Sequence, residues 1–318
     1  MISSSNIISR SISVYKNNFL DYVKYIVLGL LPGAIMGGLF LVFGSAAAIG
    51  IVGSGMSSTA SLVFGVILFA IIVLFAIGLS LWVNFAFIRM IGLKARGEDT
   101  EGVLDNFIAV RSKFWRAIGA SIVMSIYGGW PLIVVSLFYY LYSLTGAEVS
   151  GSVLVVFALL GLAALFLGIY FFVRVFFSVF HVILGDADIF EAIDYSQDQV
   201  IGSWFGVFWR LIAPAIVFFI ISILAQILLG GLSAVIDATA VSLLLSLLLF
   251  AIQVLVPPLF PTAQVVLYND LANSNPSLGE DEDSSVDSSK EKEDKSNTKE
   301  GQSEENQADV DLNESLDS

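Results

Sequence analysis

From Tyr25 to Ile88 the chain carries no Asp, Glu, Lys or Arg. Further uncharged runs are Ala117–Ala147, Val149–Val173, Leu211–Ile236 and Ala238–Asn269. A helix needs about 20 apolar residues to cross the roughly 30 Å hydrocarbon core of a bilayer. Each run satisfies that length, and the first is long enough to cross twice. A β-barrel would show short alternating segments instead. The pattern predicts an all-α fold: a polytopic transmembrane helical bundle of about six spans.

The charge that remains is concentrated. Of 28 acidic residues, 16 lie from Asp270 onward, with only 4 of the 15 basic ones. The body is therefore near neutral, and the net charge of −13 belongs almost wholly to the C-terminal segment. Residues 272–318 include "EDEDSSVDSSKEKEDKSNTKE" and no aromatic side chain. Such a segment buries no core and is expected to be a disordered acidic tail. Its charge repels nucleic acid and anionic headgroups, so no nucleic-acid partner is expected. There is no cysteine, which excludes disulfides, thiolate metal sites and Cys nucleophiles. Lys16 and Lys24 precede the first apolar run as in a signal peptide. That run is longer than the usual ~7–15-residue signal core, so a retained first span is expected.

The Gly/Ser-rich Gly53–Ser61 is the natural turn within the long first run. Spans are then expected near 22–48, 62–90, 117–144, 152–180, 205–230 and 240–268, forming one domain over 1–271. Lys and Arg fall before the first span and around the second loop, and the first, third and fifth loops have none. By the positive-inside rule this places both termini in the cytoplasm of a cell-membrane protein. The fourth loop is acidic (Asp186, Asp188, Glu191, Asp194 and Asp198), and its side follows from parity. These carboxylates suit a solvated helix start and polar face better than a cation site.

A spacing recurs three times. Val103, Phe107, Val110 and Phe114 have offsets that stack on one helical face. Ile8, Ile12, Tyr15 and Phe19 repeat them, and Ile193, Gln197, Val200 and Trp204 repeat them again with one polar substitution. Each stripe closes on an aromatic residue, and each following span holds a proline: Pro32, Pro131 or Pro214. The expected unit is an amphipathic interfacial helix, an outward span and an inward span. It is repeated over about 5–96, 97–184 and 185–271. The short helices would lie in the cytoplasmic interface, with the closing ring at headgroup depth. They would rest on lipid or on the bundle, so the lipid bilayer is the first expected partner.

The segment "GDADIFEAIDYSQDQVIGSWFGVFW" resembles the cytoplasmic segment of the glycerophosphodiester phosphodiesterase membrane-domain family and related six-span proteins. The matching residues are Glu191, Ala192, Ser196 and Trp204, and the likeness covers about residues 5–270. The resemblance implies a fold and a membrane location but no established activity. Some members carry a separate soluble catalytic domain, and nothing outside the spans of this chain is large enough to be one.

Polar groups within spans are the candidate functional residues. Asn84, Arg89 and Arg174 fall near the cytoplasmic interface, where anchoring by snorkelling is the expected role. The two arginines occupy matching places in successive repeats. His181 is the only histidine. It cannot assemble a zinc ligand set and is expected to be packed or interfacial, with pH sensing as the alternative. Gln253 is placed near mid-membrane, bonded to a neighbouring helix. Pro257, Pro258 and Pro261 are expected to kink the last span near its cytoplasmic end. A gate or site there is the alternative. Gly29, Gly33 and Gly37 form a small-residue stripe expected to pack inside the bundle. No HExxH, Walker A, GxSxG or GxGxxG pattern occurs. Catalytic, metal and cofactor residues are therefore not assigned, and no cofactor is expected. The expected function is a non-catalytic membrane scaffold or accessory protein, acting on lipid or on a membrane or cytoplasmic protein partner. The alternative is a transporter or channel for a small solute, with a site near the broken last span.

Overall fold

A computed structural model describes residues 2–53, 59–98, 102–146, 150–235 and 239–274. Every regular element among them is helical. The order is α1 (Ser4–Asn17), α2 (Phe19–Gly53), α3 (Thr59–Arg96), α4 (Val103–Arg111), α5 (Phe114–Leu144) and α6 (Gly151–Val175). Then come α7 (Ser178–Gly185), α8 (Ile189–Val200), α9 (Trp204–Ala225) and a π-helical turn (Gln226–Gly230). The last are α10 (Gly231–Val235), α11 (Thr239–Leu255) and α12 (Leu259–Ser274).

Six helical stretches are long and apolar enough to cross a membrane: Phe19–Leu39, Val66–Arg96, Phe114–Leu144, Gly151–Gly185, Trp204–Ser233 and Ala240–Ser274. They match the six expected spans. Up to Leu271 the described residues form one compact unit. Residues 275–318, on which the acidic tail was expected, lie outside the described residues, as do 54–58 of the first turn.

The pattern of a short helix followed by a hairpin of spans occurs three times. In each case the closing aromatic is the first residue of the following span helix: Phe19 opens α2, Phe114 opens α5 and Trp204 opens α9. The hairpins are α2 with α3, α5 with α6, and α9 with α11. Each short helix packs on the hairpin that precedes it. Thus α4 rests on α3 and α2, and α8 on α6 and α5. The helix α1 packs on α9 of the last hairpin. The three units close into a ring.

Polar links show that the short helices share one end of the bundle. The backbone N–H of Ile2 donates to Asp270 Oδ2 at 3.0 Å, and Arg10 Nη2 donates to the Ala95 carbonyl at 3.2 Å. Lys113 lies 3.3 Å from Asp186. Here α7 ends in a left-handed residue, Asp186 (φ 61°), a conformation that Asp tolerates better than most side chains. The bend lets Arg116 pair with Asp186 at 3.0 Å and Asp188 at 3.3 Å. The acidic fourth loop is thus partnered by the basic second loop, beyond the solvated role expected of it. The helix start was read correctly: Asp188 and Glu191 form a reciprocal capping box on α8.

The core lies at the same end. Tyr22, Met90, Ile91, Val110, Phe177, Ile183, Val200 and Leu267 are fully enclosed there. Away from it the helices are bare, with Phe75 65%, Leu159 62% and Leu244 65% exposed. Lipid is as apolar as leucine, so spans gain little from hydrophobic association. Close packing and polar contacts decide which ends meet.

Three expectations on packing change. The buried face of α1 is rotated by one position: Ile7 and Ser11 are enclosed while Ile12 is 45% exposed. The glycine stripe at Gly29, Gly33 and Gly37 is not packed, since a side chain at any of the three meets nothing within 4 Å. The close helix approach occurs instead at Gly128 and Gly168, where α5 and α6 cross backbone to backbone. Finally, α4 is apolar on two sides, because Leu104 (70%) and Ile108 (60%) point away from the bundle. It packs on its hairpin and also presents a greasy outer face.

Candidate functional site

The proline-broken and kinked ends of the spans build a buried polar hub. The helix α6 stops at Val175 and α7 resumes at Ser178, which leaves backbone groups at the break without helical partners. Ser196 of α8 repairs it. Its hydroxyl donates to the Arg174 carbonyl at 2.9 Å and accepts from the Phe177 N–H at 3.0 Å. At the other break, α11 ends at Leu255 before Pro257 and Pro258, and Pro261 falls in the first turn of α12. That turn tolerates proline because its N–H groups have no helical acceptor. Thr262 Oγ1 donates to the Pro258 carbonyl at 2.7 Å and meets the Tyr22 hydroxyl at 2.9 Å. Because the threonine proton is already engaged, Tyr22 is the donor. In both breaks a side chain from the following unit, in ring order, holds the broken span.

A position missed by the apolar stripes carries part of this order. Eight residues before each closing aromatic stands a buried polar residue: Ser11, Asn106 and Ser196. The stripes read only apolar offsets and so passed over it. Removing the Ser196 hydroxyl strands two buried backbone groups. Ser196→Ala is expected to cost about 1–3 kcal/mol, read as a lower melting temperature in detergent, with Ser196→Thr less damaging.

His181 lies in α7, 6% exposed. The Tyr268 hydroxyl is 3.4 Å from its Nδ1, and the Tyr268 ring stands edge-on at 5.0 Å. Its Nε2 is enclosed with the Gln199 amide as its hydrogen-bonding neighbour, and Nδ2 of Asn269 is enclosed without a partner. Asn269 Oδ1 accepts from Arg96 Nε at 3.4 Å. Gln199, Tyr268 and Asn269 were not singled out from sequence, although their place beside the break and the lone histidine was a usable signal.

The five sequence-predicted residues separate. Arg174 lies at the α6–α8 junction, where its Nη2 donates to Gln197 Oε1 at 3.2 Å and its guanidinium lies over the Tyr170 ring, while His181 stands past the break in α7 against Tyr195 and Tyr268. Asn84 is exposed on α3 without a described hydrogen-bond partner. Gln253 is half-buried in α11 and, among the described residues, bonds to no neighbouring helix, contrary to expectation. The helix α11 packs on α9, on the π-helical turn and on α10, and no described hydrogen bond joins Gln253 to any of them. The two arginines also differ. Arg174 is paired, whereas Arg89 Nε is enclosed with no partner, because α4 offers nothing in the place where α8 offers Gln197.

Outside the spans, burial raises the Tyr15 hydroxyl, and two groups around the second and fourth loops are shifted as well. The Tyr195 hydroxyl and the Asp188 N–H both bond to Glu191 and hold its carboxyl below the ordinary 4.5. Burial pushes the Lys113 ammonium down, and Asp186 opposes that. A depressed carboxyl stabilises the fold above its ordinary value and loses that contribution as pH falls through the native one. Hydrogen exchange at the first turn of α8 should therefore stay slow above 4.5 and accelerate below it. Glu191→Gln should flatten that response.

An apolar groove of about 460 Å³ opens between α9 and the proline break, lined by Ile216, Phe218, Phe219, Val256, Pro257 and Phe260 among others. Among the described residues no group of three or more His, Cys, Asp or Glu could hold a metal ion. In comparisons with known proteins, no family model, no curated protein and no solved structure matches the chain.

Proposed function

We propose that this is a non-catalytic integral membrane protein that organises membrane lipid or a partner protein from one face of the bilayer. Its fold would be akin to the glycerophosphodiester phosphodiesterase membrane-domain family. The observation that carries this reading is the division of labour along the spans. Polar side chains are spent holding one helix to the next at the hub, and among the described residues the far halves of the hairpins expose mostly apolar side chains. The short helices would lie along the cytoplasmic interface. Leu104, Ile108, Phe190 (78% exposed) and Trp115 (76%) would reach into lipid. The basic residues at the hub support a cytoplasmic placement of both termini in the cell membrane.

The alternative, a transporter or channel for a small solute, has one observation in its favour: the groove beside the broken last span. Its apolar lining suits an acyl chain better than a hydrated solute. Thiol labelling separates the two readings on a chain without native cysteine. Ile252→Cys and Val254→Cys, flanking Gln253, are expected to resist a membrane-impermeant reagent from both sides. Labelling from either side would replace the scaffold with the transporter.

A further inference from the structure

We propose that Arg89, with Tyr25 and Asn106, forms a binding site for a phosphate oxyanion, supplied by the phosphodiester of a membrane lipid. Three helices converge there. Tyr25 of α2 is 3% exposed, its ring held between Phe87 at 5.5 Å and Phe107 at 6.2 Å. That clamp fixes its hydroxyl, which is buried with only the Asn106 side chain as a hydrogen-bonding neighbour. Arg89 of α3 and Asn106 of α4 both act on this hydroxyl. Arg89 is half-buried, and its Nε is enclosed and unpartnered. A buried donor left unmet costs about 1–3 kcal/mol, more when charged, and the enclosed Arg89 Nε beside the Tyr25 and Asn106 side chains implies an acceptor that all three could share.

The charge balance makes that acceptor an anion. Arg89 and Arg116 each lie within electrostatic reach of Lys113. Asp186 and Asp188 answer Lys113 and Arg116, and among the described residues no carboxylate pairs with Arg89. Asp21, the carboxylate that acts on Tyr25, is taken by Lys24 at 2.9 Å and Lys94 at 3.8 Å. An arginine fork with a phenol and an amide suits the several oxygens of a phosphate. The outer face of α4 beside the site is Leu104 and Ile108, with Trp115 one helix on, a surface for acyl chains. That favours lipid over free phosphate as the source.

The proposal deepens the lipid-organising reading, and its readout is independent of water access at Gln253. The full chain would be released from phosphatidylglycerol-containing micelles and its bound phospholipid measured by native mass spectrometry. The wild type should retain phospholipid. Arg89→Gln should bind it about tenfold more weakly, equivalent to one charge-assisted hydrogen bond. Tyr25→Phe should weaken it less, and Arg89→Lys should keep part of it. Arg111→Gln, an exposed control, should change nothing. Displacement of lipid by inorganic phosphate would support the oxyanion site with a soluble source. Melting temperatures identify any variant that fails to fold, and Arg89→Lys and Tyr25→Phe then decide. Unchanged retention in the folded Arg89 and Tyr25 variants, or equal loss in Arg111→Gln, would overturn the proposal.

Discussion

Gly168→Ala is expected to be among the most damaging single-methyl changes in this chain. A Cβ at this position falls on the carbonyl oxygen of Gly128, and that obstacle is backbone, not a side chain that can rotate away. The helices α5 and α6 must separate to admit it. Overpacking of this kind costs about 1–3 kcal/mol, and the absence of a yielding partner puts the expected loss near the top of that range. Two other glycines calibrate the reading. At Gly92 the added atom meets only the end of the Leu184 side chain, so Gly92→Ala should cost about 1 kcal/mol or less. At Gly29 it meets nothing within 4 Å, so Gly29→Ala should lie within about 0.5 kcal/mol of the wild type. Thermal unfolding in detergent should rank the three in that order. A Gly29 variant as unstable as the Gly168 one would move the crossing point to the first span.

Tyr22→Ala is expected to open the ring. Tyr22 is fully buried, stands edge-on to Tyr15 at 4.6 Å and to Phe87 at 5.4 Å, and donates to Thr262. It therefore belongs to the first unit, packs on the first hairpin and fastens the broken span of the last. Truncating a buried aromatic costs about 3–5 kcal/mol, whereas Tyr22→Phe removes the hydroxyl alone and should cost about 1 kcal/mol. Thr262 keeps its own bond to Pro258 in both variants. In the alanine variant α1 should become sensitive to protease while the α5–α6 hairpin does not. Equal sensitivity throughout would mean that Tyr22 acts on the whole fold and not on ring closure.

The spans were legible because crossing lipid demands long uncharged runs, and such runs have few other readings. The recurrence was legible because the closing aromatics Phe19, Phe114 and Trp204 mark true helix starts. Ring closure was not. Nothing in the residues of α1 names α9 as its partner, since the contact joins the two ends of the body. The buried face of α1 was misjudged because Ser11 reads as polar, yet its hydroxyl bonds back to the Ile7 carbonyl at 2.6 Å and can be enclosed. Gln253 was misjudged for the converse reason. Mid-span depth suggested a partner, but partnership depends on which helix lies opposite. Arg89 and Arg174 look alike in sequence, and only the helix packed against each separates a paired guanidinium from an unpaired one.

The claim on which the rest depends is that three helix-and-hairpin units close into a ring at one end of the bundle. Cross-linking of the double variant Ile2→Cys with Asp270→Cys in native membranes tests it most directly, because the two positions touch only if the first unit reaches the last. A short thiol cross-linker should join them within a single chain, giving one bridged peptide and no dimer. Absence of that bridge, or bridges only between separate copies, would contradict the account.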